Sequence, residues 1–227
     1  MTRPTLVVVS GIDGAGKTTQ ARLLTTHLRD RGLDARYEHA IGPRTRLLRW
    51  LKDRVAPHFL DREDDRARDG TITAGGPTLV GGLFVVRGLW QAWAAVLANL
   101  RADVVVLDRS LYDDLVRVAW RYGYDETRLA RLSRFVPEPD LLVRLVAPAA
   151  VAWERESDGR TTRDEHAAKN ACYDRLFEAV ATQTDVRAVD TAANDVEATH
   201  DRIVELFDER ARTAPGRGSG VEPVRQN

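Results

Sequence analysis

The chain has 227 residues, 43% of them hydrophobic, with 34 basic side chains balanced by 34 acidic ones. That length suits one domain with a sizeable core, and zero net charge leaves no global field drawing the chain to nucleic acid or an anionic membrane. The single cysteine, Cys172, excludes an internal disulfide and a cysteine-based metal cluster; it is expected to serve as a small apolar side chain on a helix.

Met1-Thr2-Arg3-Pro4 leads directly into the apolar run Leu6–Ser10, the first expected strand. No signal peptide is read there, and no apolar run reaches the ~20 residues that span a bilayer. The expected location is therefore cytoplasmic. A helix follows over Lys17–Arg31, with Ala21, Leu23, Leu24 and Leu28 at helical spacing and Gly32 as its stop. Ala35–His39 reads as a short strand and Arg44–Val55 as a helix. Pro57–Gly82 carries the charge cluster Asp61–Arg66 and then five glycines. It reads as a mobile insertion, either a flap or a solvated loop.

Val80–Leu100 is a long apolar helix and Val104–Asp108 a β-branched strand. Leu111–Tyr122 is helical, with a shorter helical piece near Thr127–Phe135. Leu141–Val146 is a further strand, introduced by Pro137 and Pro139, and two helical stretches flank the polar segment Ser157–Asp164. Val186–Asp190 is the last strand. Asn194 and Glu197 read as a capping pair for a final helix whose apolar face holds Val196, Ile203, Val204 and Phe207. The expected organisation is one domain over residues 1–212, with a lid at 154–165, and a disordered tail at 213–227.

Strands alternating with helices predict a parallel sheet covered on both faces, with ligands at the carboxyl ends of its strands. The first of those ends carries the most specific motif in the chain: Gly11-Ile12-Asp13-Gly14-Ala15-Gly16-Lys17-Thr18-Thr19. Glycines let successive N–H groups face one hollow, and the following helix adds its positive end. Such a loop binds a nucleoside triphosphate: Lys17 reaches the outer phosphates and the Thr18 hydroxyl holds magnesium. At a second strand end, Asp108 suits the metal, and Arg109 suits a forked pair with phosphate.

From Gly11 through Leu24 the chain resembles the start of thymidylate kinases, and Asp108-Arg109 resembles that family's Asp-Arg-Tyr motif, with Ser110 in the tyrosine's place. Arg87, twenty-one residues before Asp108, matches the family arginine that contacts the thymine base. Pro139-Asp140-Leu141 and Val189-Asp190-Thr191-Ala192 resemble the family's later strand and adenine-side loop. The resemblance implies an α/β, three-layer P-loop kinase fold with a five-stranded parallel sheet. It also implies ATP, Mg2+ and a nucleoside monophosphate acceptor, with dTMP passing to dTDP. Gly14-Ala15 inside the loop implies that the catalytic arginine lies in the lid, where Arg155, Arg160 and Arg163 are the candidates.

The family's Arg-Glu-Pro-Gly segment is replaced here by Glu38–Arg44, so Arg44 or Arg46 is expected to take the acceptor phosphate. Beyond Arg109, Leu111-Tyr112-Asp113-Asp114-Leu115 also departs from the family. Tyr112, Trp90, Trp93 and Phe84 are candidates for a wall against a base, Tyr112 foremost; Trp90 and Trp93 also suit the core. The long helix suits either the core or a homodimer face.

Asp13 is the diagnostic acid. Beside phosphates it needs a cation or a hydroxyl partner. Were the acceptor a hydroxyl, Asp13 or Asp108 would be its base; a phosphate acceptor needs none. The alternatives are thus a kinase acting on a hydroxyl of a small molecule and a nucleotide-binding switch without an acceptor.

Overall fold

In the computed structural model the described residues are 3–39, 79–156 and 161–213. Five strands, β1 (Thr5–Gly11), β2 (Ala35–His39), β3 (Val104–Asp108), β4 (Leu141–Val146) and β5 (Val186–Asp190), form one sheet in the order β2-β3-β1-β4-β5. Every pairing is parallel. The helices are α1 (Lys17–Asp30), α2 (Leu79–Ala98), α3 (Leu111–Tyr122), α4 (Glu126–Ala130), α5 (Ala149–Arg155), α6 (Arg163–Ala181) and α7 (Val196–Thr213). No helix among the described residues is long and apolar enough to cross a membrane.

The valine runs explain the central strands. Val7, Val9, Val105 and Val106 are fully buried, as β-branched chains covered on both faces should be. α1 packs with α7, while α2, α3, α4 and α6 pack among themselves to form the second layer. Register brings the strand ends together: Asp108 lies opposite Val9 of β1 and His39 of β2. The phosphate-loop motif, Asp108 and His39 therefore share one rim of the sheet.

Two helix starts are fixed by reciprocal caps. The Ser110 hydroxyl caps α3 by accepting from the Tyr112 N–H at 3.3 Å, and Asp113 Oδ2 accepts from the Ser110 N–H at 2.9 Å. Thr162 and Glu165 form the same arrangement ahead of α6. The departure Ser110 thus has a local cause, since a tyrosine there would cap nothing.

Several sequence expectations are revised. The piece expected near Thr127–Phe135 is α4 followed by a single 3-10 turn over Arg131–Phe135. Asp195, not Asn194, caps α7: its Oδ1 accepts from the Ala198 N–H at 2.8 Å, while Asn194 turns back to the Asp190 carbonyl. Trp90 and Trp93 are exposed, 56% and 45%, and lie outside the core. The expected helix Arg44–Val55, most of the insertion 57–82 and the tail after Thr213 lie outside the described residues.

α6 is tied to α3 through buried polar chemistry. The Tyr173 hydroxyl donates to Asp113 Oδ1 at 2.8 Å, and Tyr173 is 2% exposed. Tyr173→Phe would leave that carboxylate oxygen without its donor, at about 1–3 kcal/mol. Thermal unfolding should show a midpoint lower by roughly 2–4 °C per kcal/mol; an unchanged midpoint would refute the role.

Candidate active site

The loop between β1 and α1 owes its shape to glycine. Gly14 and Gly16 sit in the left-handed region, φ 82° and 85°. Gly16 is the residue before α1, and its carbonyl accepts from the Gln20 N–H at 3.0 Å. Gly14 lies so close to α5 that a Cβ there would fall 1.9 Å from the Ala152 carbonyl oxygen. Ile12 and Ala15 are buried and anchor the loop, whereas Thr19 is exposed on the first turn of α1.

Lys17 is 4% exposed, and its ammonium donates to the Ile12 carbonyl at 2.8 Å. It lies 3.4 Å from Asp13 Oδ1. Arg109 Nη2 meets the same oxygen at 2.6 Å, and Lys169 Nζ meets Oδ2 at 2.5 Å. Burial alone would raise the Asp13 pKa; Lys17, Lys169 and Arg109 together outweigh it and hold the carboxyl far below the usual range. Arg109 takes the left-handed conformation, φ 66°, rare for a side chain with a Cβ and worth about 1–2 kcal/mol of strain.

A second cluster forms around Asp108, which is fully buried. Its Oδ2 accepts from the Thr18 hydroxyl at 2.7 Å and the Tyr37 hydroxyl at 2.7 Å, with His39 Nδ1 at 2.8 Å. Its Oδ1 is buried and has no hydrogen-bond partner among the described residues. Thr18 and Asp108, expected as a metal pair, are thus in direct contact.

The other expected site residues divide. Arg87 on α2 pairs with Asp114 of α3 and lies over the Phe84 ring at 5.0 Å. Arg155 Nη1 donates to the Thr191 carbonyl at 3.0 Å, which sets it against the loop after β5. Arg163 is exposed at the start of α6. Tyr112 is corrected: it is 2% exposed and packs on Phe177, 5.8 Å between ring centroids, so it is a core side chain with no face for a base. Burial pushes its hydroxyl pKa up to about 12. Arg44, Arg46 and Arg160 lie outside the described residues.

Three contacts were not legible beforehand. Tyr37 and His39 reach Asp108 because β2 pairs with β3 in parallel, with His39 opposite Asp108. A strand prediction without its pairing partner hides that contact. Lys169 reaches Asp13 from 156 residues away in sequence; its helical position was evident, its direction was not.

No family model matches the chain. A thymidylate kinase of Xylella fastidiosa is 31% identical over 160 residues, covering 67% of each chain. The chain belongs to the thymidylate kinase family. A probable thymidylate kinase of Thermococcus kodakarensis is 26% identical over 228 residues, covering 89% of this chain and 96% of that one. The solved thymidylate kinase of Candida albicans superposes with a TM-score of 0.63 at 15% identity, over 92% of this chain and 93% of its own, and shares the fold.

Family membership makes the chain an ATP-dependent nucleotide kinase. Lys17, Arg109 and Lys169 gather three cations around the loop. The oxygen donors Thr18 and Asp108, with Asp108 Oδ1 buried and unpartnered, fit a hard divalent cation such as Mg2+.

Proposed function

We propose that the chain moves the γ-phosphoryl group of ATP to a nucleoside monophosphate, with dTMP as the acceptor. The supporting relatives carry thymidylate kinase names. One observation carries the choice of a phosphate over a hydroxyl acceptor. Asp13 is ion-paired to Lys17, Arg109 and Lys169. A carboxylate held that firmly in its ionised form is a poor proton acceptor, which disfavours it as the base a hydroxyl needs; Asp108, the other candidate base, already accepts from Thr18 and Tyr37 and contacts His39 through Oδ2. An anionic acceptor needs no base, and a cation-rich rim favours it.

In this reading the loop amides and Lys17 cradle the donor phosphates, and Arg109 meets the phosphates between donor and acceptor. Thr18 and Asp108 would hold Mg2+, which when bound neutralises phosphate charge. Residues 154–165 act as a lid, with Arg163 and Arg160 as its cations. Arg155 fixes the base of the lid on the Thr191 carbonyl. Closure excludes the water that would otherwise accept the phosphoryl group.

ADP release from magnesium-ATP, measured with dTMP, dUMP, thymidine and deoxyadenosine, tests this. Strong stimulation by dTMP is expected. Stimulation by a nucleoside alone would move the assignment to the hydroxyl reading, and none by any acceptor would sink both. Arg87 is assigned to the acceptor base. Arg87→Ala should raise the dTMP KM about tenfold, the equivalent of ~1.4 kcal/mol, and leave the ATP KM unchanged. Equal rises in both would refute that assignment.

A further inference from the structure

Lysine is rare in this chain. Of its 34 basic residues only Lys17, Lys52 and Lys169 are lysine; the rest are arginine. Two of the three converge on the Asp13 carboxylate, Lys17 from the loop's own helix and Lys169 from α6. Arginine offers a rigid fork, whereas lysine is a compact point charge on a flexible stem that can exchange one oxygen for another. A chain that uses arginine almost everywhere else places lysine where a mobile point charge would be of use.

The charge balance is lopsided. Lys17, Arg109 and Lys169 are 4%, 28% and 11% exposed by side chain, and Asp13 is 19% exposed. Among the described residues Asp13 is the acid in ion-pair contact with all three. Asp113 lies nearby but gives its oxygens to the Ser110 N–H and the Tyr173 hydroxyl. Asp108 faces Thr18, Tyr37 and His39. Two cations on Oδ1 already neutralise Asp13, so a third, largely desolvated, is more than the carboxylate requires. The excess suits a polyanion arriving beside Asp13, inside the phosphate loop. Lys169 also lies 5.7 Å from the centre of the Trp120 ring, a cation–π contact beside its ion pair with Asp13.

We infer that Lys169 is a catalytic residue: on ATP binding its ammonium turns from Asp13 to the outer phosphates and stays on the transferring group. This rests on the nucleotide-kinase reading above. In the transfer the γ-phosphorus loses its bond to the β–γ bridging oxygen, whose electron pair remains with ADP. It gains a bond from an oxygen of the acceptor phosphate. Lys169 gives up no proton; its N–H groups donate to the non-bridging oxygens, where negative charge is spread in transit. The competing role is structural, with Lys169 only neutralising Asp13.

Four variants of the full chain separate these roles: Lys169→Met, Lys169→Arg, Asp13→Asn and the double variant Asp13→Asn/Lys169→Met. Each is assayed for dTMP-dependent ADP release and, by calorimetry, for ATP affinity. Asp13 stays paired to Lys17 and Arg109 in Lys169→Met, so that variant folds. The inference expects kcat to fall roughly 10²-fold and the ATP Kd to rise about tenfold in Lys169→Met, with Lys169→Arg intermediate because its fork keeps the charge but not the mobile point contact. The same fold-loss is expected when Lys169→Met is added to Asp13→Asn. Trp120 emission should change on ATP addition in the wild type and not in Lys169→Met. An unchanged kcat and ATP Kd in Lys169→Met would overturn the inference. So would the double variant matching Asp13→Asn, since a neutraliser is superfluous once the acid is gone. A wild type that binds ATP but responds to no acceptor would overturn the proposed function. The ATP Kd and emission then decide Lys169 on their own: no change in either rejects its contact with the nucleotide.

Discussion

Lys17→Met is expected to lower acceptor-dependent ADP release by roughly 10³-fold or more, in line with the loss of a preorganised cation from a phosphoryl-transfer site. The structure separates this loss from instability. The Lys17 side chain is 4% exposed, and burial lowers its ammonium pKa while Asp13 opposes the shift. Methionine fills a similar volume without a buried charge. Asp13 keeps Arg109 and Lys169, so the loop retains its ionic ties. The unfolding midpoint should therefore move little, even though the Ile12 carbonyl loses its ammonium donor. Lys17→Arg should not rescue activity, because a planar fork is bulkier than the slot and cannot keep one nitrogen 2.8 Å from that carbonyl. Turnover within tenfold of the wild type in Lys17→Met, with the fold intact, would remove Lys17 from the chemistry. A collapse of the unfolding midpoint would instead mean that its main task is holding the loop.

Much of the frame was legible because local and long-range signals agreed. Val7-Val8-Val9 and Val104-Val105-Val106 are too β-branched and apolar to be anything but buried strands, and both are. The phosphate-loop motif fixed the rim of the sheet on which the site would lie. What stayed hidden depends on orientation. Tyr112 and Lys169 both sit on helices beside the site, and periodicity cannot say which side chain turns inward to the core and which to the loop. Tyr112 turned to Phe177 and Lys169 to Asp13. Arg155 was expected among the phosphates as one of the lid arginines that the family resemblance implies; here its guanidinium donates to the Thr191 carbonyl. The contacts of His39 and Tyr37 with Asp108 were hidden for a different reason. Their strand has an unremarkable sequence, and only its pairing with β3 brings them to Asp108.

Gly14→Ala should damage the protein more than any other single methyl added to the loop. Two costs coincide at Gly14. Its φ of 82° lies where a Cβ is strained, and that Cβ would sit 1.9 Å from the Ala152 carbonyl oxygen. The obstructing atom is backbone, so no rotamer change relieves it; either the loop lifts or α5 retreats. Gly16 supplies the control. Its φ of 85° is nearly the same, but nothing lies within 4 Å of its would-be Cβ. Gly16→Ala should thus cost only the left-handed strain, about 1–2 kcal/mol. Gly14→Ala should cost that plus the displacement of one backbone against another, for a total of roughly 3–5 kcal/mol. Because Asp13 is the preceding residue, the displacement should also pull its carboxylate from Arg109 and Lys169, and turnover should fall by at least 10²-fold. Urea midpoints for the two variants, measured alongside ADP release, give the comparison. If the two alanines prove equally destabilising, strain alone governs the loop and the close approach to α5 carries no weight. If Gly14→Ala is the worse by several kcal/mol, then α5 sets the position of the phosphate loop. Any movement of α5 would then be felt directly at Asp13.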